Sequence, residues 1–430
     1  MDRKKLTHWS PGGLFAACVV ASWFIEASVA VAADWPHFGY DDQFTSYNRQ
    51  EKTLNAQNVR YLEKKWGIGC DDGWFSVIFR SPAIYQNTLF TSSAGDCLRA
   101  YDARTGDLQW QHGDGNSGWA PQPVVCTDGT IAYMEGTIPT SLYGVRSADG
   151  KQLWKAPVGF DLGFEGAAYC VPTVDEARKT IYVVENLFIG DGKLFALSKQ
   201  NGKVLWYMSK EKDKAAFRGN YVALKGAWVF ATAVVPVSYS EADKIGRINS
   251  KTRKIEMYYD RPSPEEWYDI GGCTVCNDML IVAYHDRDDV FRGKSILCAY
   301  NINSPKIVWS KRYTSSAVTG AVACNTTLKR IYVPTNPYLY AYDLKTGAEK
   351  WRYMGYDAIF SPSVANGVIY FLSDTNMYAI GESDKKKLFT FSLGYDAEYS
   401  TQVAVANGMV YFSGNGGDCD LYALGLRAVR

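Results

Sequence analysis

The sequence predicts an all-β chain: an eight-bladed β-propeller of four-stranded antiparallel blades, its ring closed by pairing an N-terminal strand with the C-terminal blade. Three observations carry this. Five segments share one frame, Leu followed twelve positions on by Trp: LRAYDARTGDLQW from Leu98, LYGVRSADGKQLW from Leu142, LFALSKQNGKVLW from Leu194, LCAYNINSPKIVW from Leu297 and LYAYDLKTGAEKW from Leu339. Two more keep the spacing and change the aromatic, IGRINSKTRKIEM from Ile245 and MYAIGESDKKKLF from Met377. An eighth copy, LYALGLRAVR from Leu421, runs out of chain before its Trp, and the missing strand stands at the other end as LEKKW, Leu62 to Trp66.

Each unit reads as two hairpins. LRAYD and DLQW alternate apolar and polar residues across a short turn, with Gly106, Gly150, Gly202 or Gly347 at one offset, where a positive φ is required. Ahead of it lies a second pair of runs, such as SPAIY with TLFTSS, SPSVA with VIYFLS, or QVAVA with MVYFS. Four short strands recurring roughly every 40 to 50 residues describe a propeller blade. A lone blade cannot bury both of its faces, so it needs neighbours. The recurrent Trp is expected to lie flat between blades, over the small third-strand residue: Ala100, Gly144, Ala196, Ala299, Ala341, Ala379 or Ala423. The fourth unit carries Arg247 and Met257 at these two places, so that blade is expected to be the most irregular.

Composition bounds the function. With 430 residues, 47% hydrophobic and 14% aromatic, the chain can bury a large core. Its 46 basic and 45 acidic residues leave a net charge of +1, with no footprint for nucleic acid or an anionic membrane. Residues 1–33 read as a secretory signal: Arg3, Lys4 and Lys5, an apolar stretch, then Ala30-Val31-Ala32-Ala33. A membrane anchor and a lipoprotein signal using Cys18 are the competing readings. Glu26 argues against a stable span, and the short run before Cys18 argues against lipidation. The expected organisation is therefore a signal over 1–33, a segment over 34–60 that packs on the propeller, and the propeller over 61–430, in a periplasmic or extracellular protein with no stable transmembrane segment. Of ten cysteines, nine remain without Cys18, so at least one thiol is unpaired or bonded to another chain.

AYDARTGDLQW and AYDLKTGAEKW, together with the opening DWPHFGYDDQFTSYNRQEKTLNAQNVRYLEKKW, resemble the repeats of the pyrroloquinoline-quinone (PQQ) type, quinoprotein alcohol dehydrogenase-like propellers. The resemblance covers nearly the whole chain after the signal. It implies the eight-bladed fold and two kinds of activity: PQQ- and Ca²⁺-dependent alcohol dehydrogenases, and a non-catalytic scaffold lipoprotein of outer-membrane protein assembly. Three features depart from the enzymes. No two cysteines are adjacent to form a vicinal disulfide, Cys273-x-x-Cys276 is followed by Asn277 so no c-type haem is attached, and the chain is short. The expected function is an exported, non-catalytic ligand- or protein-binding scaffold. The alternatives are a PQQ-dependent dehydrogenase and a cell-surface structural or adhesive protein.

Interblade linkers and the loops between second and third strands share one face, which carries the ligand in such enzymes, as the resemblance implies. The linkers are rich in acids and aromatics, and GYDA occurs twice, setting Asp357 and Asp396 at equivalent places. Candidate cofactor-binding residues are Trp74, Arg80, Trp119, Glu165, Trp267, Asp269, Asp357 and Asp396: rings to stack on a planar ligand, carboxylates for Ca²⁺ and Arg80 for an anionic group. A solvated loop rim is the competing reading. Cys70, Cys97 and Cys419 fall beside the seam, and a disulfide from Cys70 to either partner would lock the ring. Cys126, Cys276 and Cys324 read as small buried core residues at one blade position. Cys273 and Cys276 point to opposite faces of one strand. Histidine is too scarce for an imidazole zinc centre.

Overall fold

The computed structural model describes residues 33–69, 81–92, 98–113, 122–135, 141–158, 170–185, 192–237, 240–263, 268–270, 272–286, 294–314, 317–394, 401–414 and 421–428. Eight sheets, each built on four antiparallel strands and two of them extended by a short fifth, account for the eight units. Blade 1 is Ala83–Tyr85, Thr88–Ser92, Leu98–Asp102 and Leu108–His112. Blade 8 takes Ala404–Ala406, Met409–Ser413 and Leu421–Leu426 from the C-terminus and Leu62–Ile68 from the N-terminal side as its outermost strand. Trp66 pairs with Ala423 there, which closes the ring as the sequence predicts.

The register repeats from blade to blade. The small third-strand residue lies opposite the outer aromatic in every sheet but one: Ala100 with Trp110, Gly144 with Trp154, Ala196 with Trp206, Ala299 with Trp309, Ala341 with Trp351, Ala379 with Phe389 and Ala423 with Trp66. A Cβ on Gly144 would come within 2.1 Å of the Trp154 ring, so the smallest residue is obligatory there. On the second strand, Phe90, Tyr182, Tyr332 and Tyr411 supply another ring beyond the small residue, 5.7–6.1 Å from Trp110, Trp206, Trp351 and Trp66. The small side chain is the gap through which two rings approach.

One residue ahead of the outer aromatic, each outer strand carries a β-bulge. The skipped residues are Lys65, Gln109, Leu153, Leu205, Glu256, Val308, Lys350 and Leu388. The bulge twists the strand so that the aromatic reaches the next blade, and it spoils a sheet edge that would otherwise recruit another chain.

Blade 4 departs from the others, though not through general irregularity. Its strands Trp228–Val237 and Ser240–Asn249 are ten residues each and pair without a break, and the one extra irregularity lies in the first strand, between Arg218 and Ala223. Arg247 replaces the missing indole: its guanidinium covers Trp228 at 4.3 Å and donates to the Ile302 carbonyl at 2.8 Å. A planar, delocalised cation with donors does what a ring with one N–H does elsewhere.

The cysteines correct one expectation. Cys276 and Cys324 are joined in a disulfide across blades 5 and 6, with Cα atoms 6.0 Å apart, so they are not independent core thiols. They also do not occupy one blade position. Cys276 falls two residues after Thr274, the first-strand member of the central register, whereas Cys324 follows Ala323 by one. That one-residue offset turns the two side chains to opposite faces of their own sheets, and hence toward each other across the seam. Cys126 is a buried free thiol, and Cys273 and Cys276 pack into different interblade clusters.

Candidate functional site

Residues Trp35–Asn48 run around the inside of the ring. Their carbonyls accept from the first-strand amides of six blades in turn: Trp35 from Ile84, Pro36 from Val125, Asp42 from Leu224, Gln43 from Val275, Thr45 from Cys324 and Ser46 from Val364, at 2.6–2.9 Å. All six amides belong to the residue just after the central register position of their strand. Inner strands have a free edge toward the axis, and this segment satisfies it. Tyr47–Asn48 pairs parallel with Val364–Ala365, and the Asn48 side chain donates to Val405 of blade 8 at 2.8 Å.

Buried polar groups hold the segment. Glu51 is fully buried and accepts from the amides of Thr53, Leu54 and Gly408 at 2.6, 3.0 and 2.9 Å. Asp41 accepts from the Thr45 amide and hydroxyl at 2.9 and 2.7 Å, and burial holds its carboxyl above the usual range. Asp42 is pushed up to about 7, first by burial and then by the charges of Asp41 and Asp175. His37 is lowered to about 4 by burial, with Nδ1 2.6 Å from the Phe38 carbonyl. Phe44 stacks on Tyr221 with centroids 3.9 Å apart.

Toward the linker face, the residue two before the central register position forms a ring of eight: Ser81, Gln122, Val171, Tyr221, Gly272, Ala321, Ser361 and Gln402. Blades 7, 8, 1 and 2 contribute the polar members, and blades 3 to 6 the apolar ones. Gln402 ties this level to the segment below: its amide accepts from Gly39 at 2.8 Å and donates to Ser46 Oγ at 2.8 Å, while its backbone donates to Ser81 Oγ at 2.7 Å. The polar members of this ring are buried and hydrogen-bonded within the protein.

Of the predicted site residues, Asp357 alone has a described side chain. It accepts from Asn336 Nδ2 at 2.9 Å and from the Ala358 amide at 2.8 Å, so it shapes its own loop, beside an exposed Tyr356. Asp269 is described only in its backbone, which pairs with His285. Trp74, Arg80, Trp119, Glu165, Trp267 and Asp396 lie outside the described residues, as do Cys70, Cys97 and Cys419. Among the described residues no group of three His, Cys, Asp or Glu converges as a metal donor set. Sequence reading missed Gln402, Glu51 and Asn48; the last two lie in a mostly polar run, DDQFTSYNRQE, too long for a strand, and Gln402 carried no such signal.

Ring, register and closure define an eight-bladed β-propeller of the PQQ-repeat class. The chain belongs to the family whose model is described as outer membrane protein assembly factor BamB, which matches residues 65–169 and 94–353. No curated protein matches the sequence. Among solved structures it is similar to quinohemoprotein alcohol dehydrogenase from Comamonas testosteroni, at 13% identity and a TM-score of 0.71, over 92% of this chain and 81% of that one. It is also similar to BamB from Moraxella catarrhalis, at 14% identity and a TM-score of 0.59, over 86% and 99%. The computationally designed Ika8 protein matches at 10% identity and a TM-score of 0.63, over 85% and 100%. An oxidoreductase, an assembly factor and a designed chain share this fold, so fold does not choose among their functions. No helix among the described residues is long and apolar enough to cross a membrane.

Proposed function

We propose that the chain is an exported, non-catalytic scaffold that binds a ligand or protein partner on the linker face of the ring, in the periplasm or outside the cell. The supporting observation is the closed axis. The backbone of Trp35–Ser46 takes up first-strand amides of six blades, and Asp41, Glu51 and Gln402 are engaged in holding it. Polar groups on the axis are thereby committed to architecture, and the linkers are left to recognise a partner.

A second reading, a PQQ- and Ca²⁺-dependent dehydrogenase, draws on the acidic and aromatic linkers, which present Asp71, Asp72, Trp74 and Trp119 in the sequence. Adding PQQ and Ca²⁺ to the purified protein separates the two. The scaffold reading expects no change in melting temperature and no dye-linked alcohol oxidation at saturating ligand. A stabilised protein that reduces the dye with alcohol would replace it with the enzyme.

A further inference from the structure

The seam between blades 3 and 4 lacks a glycine contact that several other seams share. At four other seams a turn glycine of positive φ lies against the indole of the preceding blade: Gly106 on Trp66, Gly150 on Trp110, Gly202 on Trp154 and Gly347 on Trp309. In blade 4 the same turn position is Arg253, at φ 59°. A groove of about 520 Å³ opens at this seam, floored by Val235, Ile255 and Tyr258, with Lys214, Arg253 and Lys254 at its lips. All three cations are exposed, and none is in an ion pair with a described residue. Asp213, the acid in the lining, already accepts from the Ser209 amide at 2.9 Å.

We propose that this groove is a docking site for an acidic peptide segment of a partner protein, with an apolar side chain on the floor and carboxylates on the lips. Charge complementarity selects this occupant. Three cations against the one lining carboxylate, Asp213, leave more positive charge around the apolar floor than a single monocarboxylate neutralises, whereas an extended peptide presents carboxylates on either side of an apolar anchor. The volume suits one or two anchoring side chains. The site lies at the blade 3–4 seam and stands independently of any ligand on the linker face.

Fluorescence anisotropy with the labelled peptide acetyl-Glu-Glu-Phe-Glu-Leu-Glu-amide tests it on the full chain. Binding is expected, weakening at least tenfold in the double variant R253E/K254E and in 0.5 M salt, and absent for the peptide with Gln in place of Glu. The double variant K345E/K350E, at two exposed positions on another blade, makes the same change in total charge and leaves binding unchanged. Equal binding of the Glu and Gln peptides, or an unaltered double variant with a native circular dichroism spectrum, would overturn the proposal. So would octanoate binding at the groove while the peptide does not.

Discussion

The indole of Trp154 lies on the turn glycine Gly202 of the next blade and donates from Nε1 to the Lys199 carbonyl at 3.1 Å. The same pairing recurs for Trp66 with Ala103, Trp110 with Ser147 and Trp309 with Leu344, at 2.9–3.1 Å, each beside its own turn glycine. Where the turn residue is Lys385, the matching Trp351 Nε1 is buried with no partner among the described residues. A Cβ at Gly202 would stand 2.5 Å from the ring. Glycine and latched indole therefore belong together: without a Cβ the ring slides far enough to reach the carbonyl.

Gly202→Ala combines backbone strain at φ 67° with a steric clash. It is expected to destabilise by about 3 kcal/mol in urea denaturation. Gly226→Ala isolates the strain, because φ is 59° and nothing lies within 4 Å of its Cβ, so about 1 kcal/mol is expected. Equal costs would remove the indole from the explanation.

Trp66→Ala acts on ring closure. The ring is 8% exposed and packs on Tyr411 of blade 8 and on Gly106 of blade 1. A loss of about 3 to 5 kcal/mol is expected, with early hydrogen exchange in Leu421–Leu426. A cost below 1 kcal/mol would mean that the seam does not depend on it.

The Cys276–Cys324 disulfide links residues 48 apart. In the chain-entropy account it contributes about 4 kcal/mol, so Cys276→Ser with Cys324→Ser should melt at a lower temperature by that measure. A non-reducing peptide map with both thiols alkylated would contradict the pairing.

Buried His37 and half-buried Asp42 give opposing pH dependences. His37 falls from 6.5 to about 4 on folding, so unfolding takes up a proton and stability is lost as pH drops through that interval. Asp42 rises from 3.8 to about 7, so its protonated form belongs to the folded state and stability is lost as pH rises through that interval. Melting curves from pH 4 to 8 should show His37→Gln flattening the acid-side loss and Asp42→Asn the opposite one. Variants that change neither slope would place the pH dependence elsewhere.

Much of the architecture was legible because it is repeated. A Leu-to-Trp spacing held over many segments exposes register, turn glycines and the shared eighth blade, since every seam poses the same packing problem. What was hidden lies where the repeat breaks. Arg247 reads as a defect because spacing cannot reveal a guanidinium standing in for an indole. Cys324 was misplaced by one residue because the turn after it, NTTLKR, is longer than the Asn-Gly turns used for alignment. The inward path of Trp35–Asn48 carries no period, and half-buried Asp41 and buried Glu51 and Asn48 look like loop residues until their backbone partners are known. For the binding face, aspartates and aromatics identify a surface but not its occupant, and Asp357 proves to be occupied with its own loop.

Native-state hydrogen exchange at the amides of Ile84, Val125, Leu224, Val275, Cys324 and Val364 tests the closed axis most directly. Each is expected to exchange only with global unfolding, and deletion of residues 34–48 should release all six together while the outer strands stay protected. Fast exchange of these amides in the intact protein would mean an open, wetted channel, and the scaffold reading would lose its support.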